Sequence, residues 1–279
     1  MCQECGCGSG GGDVKIGAHT HEQEHHHHGH EHGHEHSHEH HDHGHGHNHA
    51  QGKQTLSLNR SLMEKNALLA ERNRGFFHAK KLLVLNVVSS PGSGKTTFIR
   101  ETAAKLGASL RVGVIVGDLA TDNDAARLRT AGIPVVQITT GTVCHLDADM
   151  ISKATAQLDL DKLDVLVIEN VGNLVCPADY DLGEDLRVVL LSVTEGEDKP
   201  LKYPPMFHSA NVAVITKCDM ATAAGFNRDL ALANLHRISH HAQVFELSSK
   251  TGDGMQAWLD YLAKQRAAVN GKQSFAGRI

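Results

Sequence analysis

The chain has 279 residues, a formal net charge of −5 and 23 histidines, of which seventeen fall between His19 and His49. That negative charge argues against a general nucleic-acid binder or a membrane-surface protein, and no apolar run approaches the roughly 20 residues of a membrane span. The polar, Cys- and Gly-rich start does not read as a signal peptide, so the expected location is the cytoplasm.

Residues 1–52 hold almost no large apolar side chains and are expected to be a disordered metal-binding region. Cys2, Cys5 and Cys7 stand in Cys-Gln-Glu-Cys-Gly-Cys, where Gly6 permits the tight turn that three converging sulfurs need. Thiolates select thiophilic ions, and ligand type alone leaves Zn²⁺, Ni²⁺ and Cu⁺ open. From His19 onward the imidazoles alternate with Gly, Glu and Asp. His25, His26, His27, His28, His30, His32, His34, His36, His38, His40, His41, His43, His45, His47 and His49 make a low-affinity store for several divalent ions. Acidification toward an imidazole pKa of about 6.5 should empty it. The plainer alternative for both features is a solvated tail.

Leu56 to Phe77 reads as one helix, in a leading segment placed at 53–80; the remainder, 81–279, reads as one α/β domain. Leu82 to Val88 is a buried strand that feeds Ser89-Ser90-Pro91-Gly92-Ser93-Gly94-Lys95-Thr96-Thr97, a P-loop. Gly92 and Gly94 let backbone N–H groups approach phosphate, Lys95 reaches the β/γ-phosphates, and Thr96 can bind Mg²⁺. The usual pattern opens with Gly, where this chain has Ser89. A helix follows over Thr96–Leu106, then a strand over Arg111–Val116 that delivers Asp118 to its C-terminal end as a candidate Mg²⁺ contact. Asp122-Asn123-Asp124 suits either helix capping or a switch role.

A strand over Ile133–Ile138 precedes Cys144-His145; these adjacent donors can share a metal only if the backbone turns, which Gly141 allows. Leu163 to Ile168 runs into Glu169-Asn170-Val171-Gly172, a Walker-B position with Glu169 on Mg²⁺ or water and Gly172 near the γ-phosphate. Cys176 lies four residues beyond Gly172, on a segment suited to move when that phosphate is lost. A strand over Val188–Val193 leads to the Glu195–Pro205 loop, to which no chemistry is assigned. After Val212–Ile215, Thr216-Lys217-Cys218-Asp219 offers Asp219 to N1–H and N2–H of guanine, which argues for GTP over ATP. The common guanine motif begins with Asn rather than Thr216. Val244–Leu247 then precedes Ser248-Ser249-Lys250, whose backbone can meet the guanine carbonyl. A last helix, Gly254 to about Ala268, turns Trp258, Leu259 and Leu262 inward, with fraying expected after Val269. The expected fold is a three-layer α/β P-loop NTPase with a mostly parallel sheet.

On the Cys2–Cys7 motif, the His tract, Ser89–Thr97, Cys144-His145 and Glu169–Pro177, the sequence resembles the HypB family, the nickel-inserting GTPases of hydrogenase maturation within the SIMIBI class. In that family Ser at the position of Ser89 is usual. The resemblance implies a tight Ni²⁺ site at Cys2, Cys5 and Cys7 and a second Ni²⁺/Zn²⁺ site at Cys144, His145 and Cys176 on a homodimer interface. It implies GTP/GDP, Mg²⁺, Ni²⁺ and Zn²⁺ as ligands. It also implies a small zinc-containing hydrogenase maturation protein as partner and the large-subunit precursor of a [NiFe] hydrogenase as recipient. Turnover is expected to be slow, since no arginine finger or water-positioning Gln stands out. Rival readings are a non-catalytic nickel buffer, a small-molecule kinase, and a urease-type GTPase, which would be expected to carry Cys-Pro-His in place of Cys144-His145-Leu146.

Overall fold

The structure, a computed structural model, describes residues 15–17, 49–107 and 109–276. Cys2, Cys5, Cys7 and the imidazoles from His19 to His47 lie outside the described residues. In chain order the elements are β1 (Lys15–Gly17), α1 (His49–Ala79), β2 (Leu83–Val88), α2 (Lys95–Leu106), β3 (Val112–Asp118) and α3 (Asn123–Thr130). Next come β4 (Val135–Thr139), α4 (Ala148–Thr155), β5 (Val165–Glu169), β6 (Leu186–Ser192), α5 (Lys199–Lys202) and α6 (Pro204–His208). The chain continues through β7 (Val212–Thr216), α7 (Ala221–Ala224), α8 (Arg228–Ile238), β8 (Gln243–Glu246) and α9 (Met255–Ala276).

The strands form one sheet in the order β1-β4-β3-β5-β2-β6-β7-β8. Every pairing is parallel except β1 on β4. Parallel strands covered on both faces need apolar side chains on both, hence continuous runs such as Leu83-Val84-Leu85. The period of two still sorts them. Leu83, Leu85 and Val87 of β2 join Phe98, Ile99, Trp258 and Leu262 of α2 and α9 in one core. Val84 joins Phe77, Ile115 and Ile151 beside α1 and α4, and Val88 joins Phe207 and Leu235 beside α6 and α8. Trp258 closes the first core by donating its indole N–H to Thr102 Oγ1 at 3.0 Å.

Three expectations are revised. Lys15–Gly17, inside the segment read as unstructured, pairs antiparallel with β4 because that strand's outer backbone edge is open, and Ile16 packs against the α1/α4 core. The leading helix begins at His49 rather than near Leu56, and the last helix continues to Ala276.

Helix α1 is held by its amides. Asn66 donates to Asp181 O and accepts from Ala148 N, both at 2.9 Å, and Asn73 donates to Ala148 O at 2.8 Å and Leu182 O at 3.2 Å. Contact is so close that a Cβ on Gly183, where φ is +90°, would stand 2.7 Å from Ala70 O. The helix thereby braces two loops, the one entering α4 and the one entering β6.

Candidate functional site

In a parallel sheet the loops after the C-terminal strand ends form the ligand crevice. Here that edge collects the loops after β2, β3, β4, β5, β6, β7 and β8. The β2 loop turns through Gly92 at φ +76° and Gly94 at φ +97°, conformations that other residues adopt only under strain. Two β7 residues hold it: Thr216 Oγ1 donates to Ser93 O at 3.0 Å, and Lys217 Nζ donates to Gly92 O at 2.8 Å. Lys95 Nζ donates to Ser89 Oγ at 3.0 Å, and Ser93 Oγ donates to the same oxygen. Ser89, the departure from the usual pattern, thus supplies a neutral acceptor for the phosphate-seeking lysine. Burial holds the Lys95 ammonium below its ordinary pKa, with Glu169 as the first opposing charge.

Across the loop, Thr96 Oγ1 donates to Glu169 Oε1 at 2.7 Å, whereas Glu169 Oε2 is buried without a hydrogen-bond partner among the described residues. Burial pushes this carboxyl up to about 7, against the pull of Thr96 and Lys95. A hydroxyl and an orphaned carboxylate oxygen are a donor set that suits a hard cation such as Mg²⁺. Asp118 is differently engaged: its Oδ1 accepts from Ala120 N, Thr121 N and Thr121 Oγ1 at 3.0, 2.8 and 3.1 Å, closing the loop after β3. Asp122 sits at the N-cap of α3 yet accepts no capping bond. Asp124, with Asp118, disfavours ionisation of Glu169.

Beside the P-loop lies a cavity of about 240 Å³ lined by Ser93, Gly94, Thr97, Lys217, Asp219, Ser248, Ser249 and Lys250. Ser248 Oγ donates to Asp219 Oδ1 at 2.7 Å and so orients the carboxylate. A larger cavity, about 470 Å³, is lined by residues such as Gly107 and Leu163 toward the opposite end of the sheet and touches none of these groups. The Glu195–Pro205 loop, assigned no chemistry from sequence, also reaches the site. Lys199 Nζ donates to Ser90 Oγ at 3.3 Å, and Glu195 keeps one buried oxygen unpartnered, its carboxyl pushed up by burial. The only sequence signal for these two was their position just past a buried strand.

Cys144, His145 and Cys176 converge with all ligand atoms within 4.8 Å of one another and the two sulfurs 3.0 Å apart. The turn required for this follows β4, with Gly141 at φ +64°. Asn173 Nδ2 donates to Cys144 O at 3.2 Å and ties the two contributing loops together. The His145 ring stacks on Tyr180 at 3.9 Å, its Nδ1 is buried without a hydrogen-bond partner among the described residues, and burial lowers its pKa, which favours the neutral, ligating imidazole. Two soft sulfurs with one imidazole suit Zn²⁺ or Ni²⁺ and leave a coordination position open. Cys218 takes no part: its Sγ rests 3.4 Å from Ile215 O, and burial raises its thiol pKa.

A parallel sheet that presents a glycine-turned phosphate loop, an acidic strand end and a cavity lined by Lys217 and Asp219 at one edge defines a P-loop nucleotide-binding protein. Residues 83–246 match the CobW/HypB/UreG nucleotide-binding domain, and the chain belongs to the HypB family of hydrogenase maturation factors. It is 49% identical to the hydrogenase maturation factor HypB of Escherichia coli K12 over 216 residues, 77% of this chain and 74% of that one. The crystal structure of HypB from Helicobacter pylori in complex with nickel aligns with a TM-score of 0.70 at 41% identity, covering 73% of this chain and 96% of that one. The hydrogenase maturation factor HypB from Archaeoglobus fulgidus aligns with a TM-score of 0.68 at 39% identity, covering 73% and 99%. No helix among the described residues is long and apolar enough to cross a membrane.

Proposed function

We propose that the protein is a GTP-hydrolysing nickel metallochaperone that inserts nickel into the large-subunit precursor of a [NiFe] hydrogenase, with its His tract as a nickel store. It acts in the cytoplasm as a nucleotide-dependent homodimer beside a small zinc-containing maturation partner. The observation that carries this reading is the Cys144, His145 and Cys176 cluster, built at the same sheet edge as the P-loop and joined to it through the segment from Glu169 to Cys176.

In this reading GTP displaces Ser89 as the partner of Lys95, which then neutralises β/γ-phosphate charge. Thr96, Glu169 and Asp118 would hold Mg²⁺ and its waters, and the ion when bound would supply charge neutralisation at the β/γ-phosphates. Gly172 turns its N–H toward the γ-phosphate. Its position supports this, since a Cβ there would lie 3.1 Å from Pro91 Cγ of the P-loop. Asp219, oriented by Ser248, reads guanine, with Lys217, Ser249 and Lys250 completing the pocket. Nickel is the cargo. Loss of the γ-phosphate shifts Gly172, and four residues on Cys176 changes its hold on the metal. Turnover is slow, since the sequence offers no residue that stands out as an arginine finger or a water-positioning Gln.

The test is a metal titration of apo, GDP-bound and GTP-analogue-bound protein, with oligomer mass read in parallel. Internal-site affinity and dimer fraction should both change with nucleotide, and Cys176→Ala should abolish the nucleotide dependence. Phosphate release that persists in Lys95→Ala, or a metal affinity indifferent to nucleotide, would sink the proposal.

A further inference from the structure

Strand β2 is apolar at every position but one, and the exception, Asn86, is fully buried. A buried amide must satisfy both its oxygen and its nitrogen. Asn86 does so in two directions. Its Oδ1 accepts from Asn170 Nδ2 at 3.1 Å, and its Nδ2 donates to Glu184 Oε1 at 3.0 Å. Asn170 belongs to the acidic loop of the nucleotide site: it follows Glu169, accepts from Val171 N at 2.9 Å, and stands two residues before Gly172. On the other side, Arg187 Nε donates to Glu184 Oε1 at 3.0 Å. The same guanidinium donates to Ala178 O at 3.0 Å, Tyr180 O at 2.7 Å and Ser209 Oγ at 3.0 Å. Ala178 lies in the short turn Cys176–Asp179, and Tyr180 carries the ring stacked on His145. One end of this side-chain chain is therefore at the nucleotide loop, and the other grips the segment that carries a sulfur and the backing of the imidazole.

We propose that the buried chain Asn170, Asn86, Glu184, Arg187 makes the geometry of the Cys144, His145 and Cys176 cluster depend on nucleotide state, with Arg187 as the positioning residue for the cluster. The inference rests on the function proposed above and gives it a physical route other than the peptide from Gly172 to Cys176. Stability does not call for these residues, since apolar side chains of similar volume generally replace a buried ion pair at little or no loss. What they add is one-to-one pairing. Displacement of Asn170 strands the Asn86 oxygen unless the Asn86 amide reorients, and that in turn removes a donor from Glu184 and loosens its hold on Arg187. Such a chain has discrete arrangements, which is the property that lets two separated sites bias each other.

The experiment uses the full chain. Free Zn²⁺ is set by a chelator buffer, and protection of Cys144 and Cys176 from iodoacetamide is read peptide by peptide by mass spectrometry, so that the N-terminal ligands do not enter the signal. In the parent, the Zn²⁺ concentration for half-protection should differ about tenfold between GDP and a GTP analogue. In Asn86→Leu that ratio should fall to about one, with nucleotide affinity within about twofold of the parent. Asn170→Ala cuts the same chain at its other end, should also bring the ratio to about one, and decides the matter if Asn86→Leu does not fold. A parent ratio that survives in a folded variant overturns this inference alone. A parent with no ratio overturns the reading beneath it, and the inference with it.

Discussion

Glu169 is caught between burial and the two groups that favour its charge, Thr96 and Lys95, and burial wins, raising its carboxyl to about 7. In the absence of nucleotide and Mg²⁺ the folded chain keeps a proton there that the unfolded chain has released above its ordinary value of 4.5. The contribution to stability is therefore complete below about pH 4.5 and is lost as pH rises through about 7, a change of at most about 3 kcal/mol. Unfolding free energies of the parent minus those of Glu169→Gln should decline over that interval; a flat difference would show that the carboxylate stays ionised. Thr216 presents the opposite lesson. From sequence it was a departure that weakened a guanine motif, yet its hydroxyl holds Ser93 O of the P-loop, a tertiary contact across more than a hundred residues that no local pattern encodes. Thr216→Val should cost about 1 kcal/mol in denaturant unfolding and weaken nucleotide binding several-fold, while Thr216→Ser keeps both. The residues that converge at the glycine-turned loop and in the Cys144, His145 and Cys176 cluster were legible because phosphate and metal chemistry demand those types at those spacings. Glu195 and Lys199 were not, since a glutamate and a lysine in a charged loop look like solvated surface.

Among the elements, the central strands were legible as unbroken apolar runs, and β2, β3, β5 and β7 fall within two residues of their expected bounds. Strand β1 was not, because Lys15-Ile16-Gly17 has no period of its own and exists by pairing to an open edge. Helices α4 and α8 escaped notice although each begins with a cap: Asp147 accepts from Met150 N and Asn227 from Leu230 N. Both are short enough that only the cap, and no long apolar repeat, announces them. Helix α1 was legible as a helix, but the amides that join it to two loops were not. Asn73 is buried, and its amide serves two carbonyls, Ala148 O on the α4 side and Leu182 O on the β6 side. Asn73→Ala removes two hydrogen bonds from a dry interface and takes the side-chain donor from Leu182 O, while Ala148 O keeps its place in the α4 ladder; the variant should cost about 2 kcal/mol, read as an earlier denaturant midpoint with an unchanged slope. Because Ala148 and Leu182 flank the loops that bear His145 and Cys176, the same variant should also loosen metal binding there.

At the scale of the whole molecule the chain carries a histidine-rich stretch beside a packed three-layer domain, and the described segments on either side of that stretch both pack on the domain. Lys15–Gly17 precedes the tract and pairs with β4, while α1, which follows it, docks on the loops entering α4 and β6. Shortening the stretch would therefore pull on the edge strand as well as remove ligands, so replacement of the histidines from His19 to His47 by glutamine is the cleaner change. If storage and timing reside in different parts of the chain, nickel bound per chain should fall from several ions to roughly the number that the two cysteine-containing sites hold. GTP hydrolysis and thermal stability should stay at parent values, because every residue assigned to phosphate, Mg²⁺ and guanine lies after Val88. Equilibrium dialysis against Ni²⁺ gives the first quantity and phosphate release the second. A parallel loss of both would mean that the imidazoles act on the nucleotide site itself, and the division of labour between tract and domain would have to be abandoned.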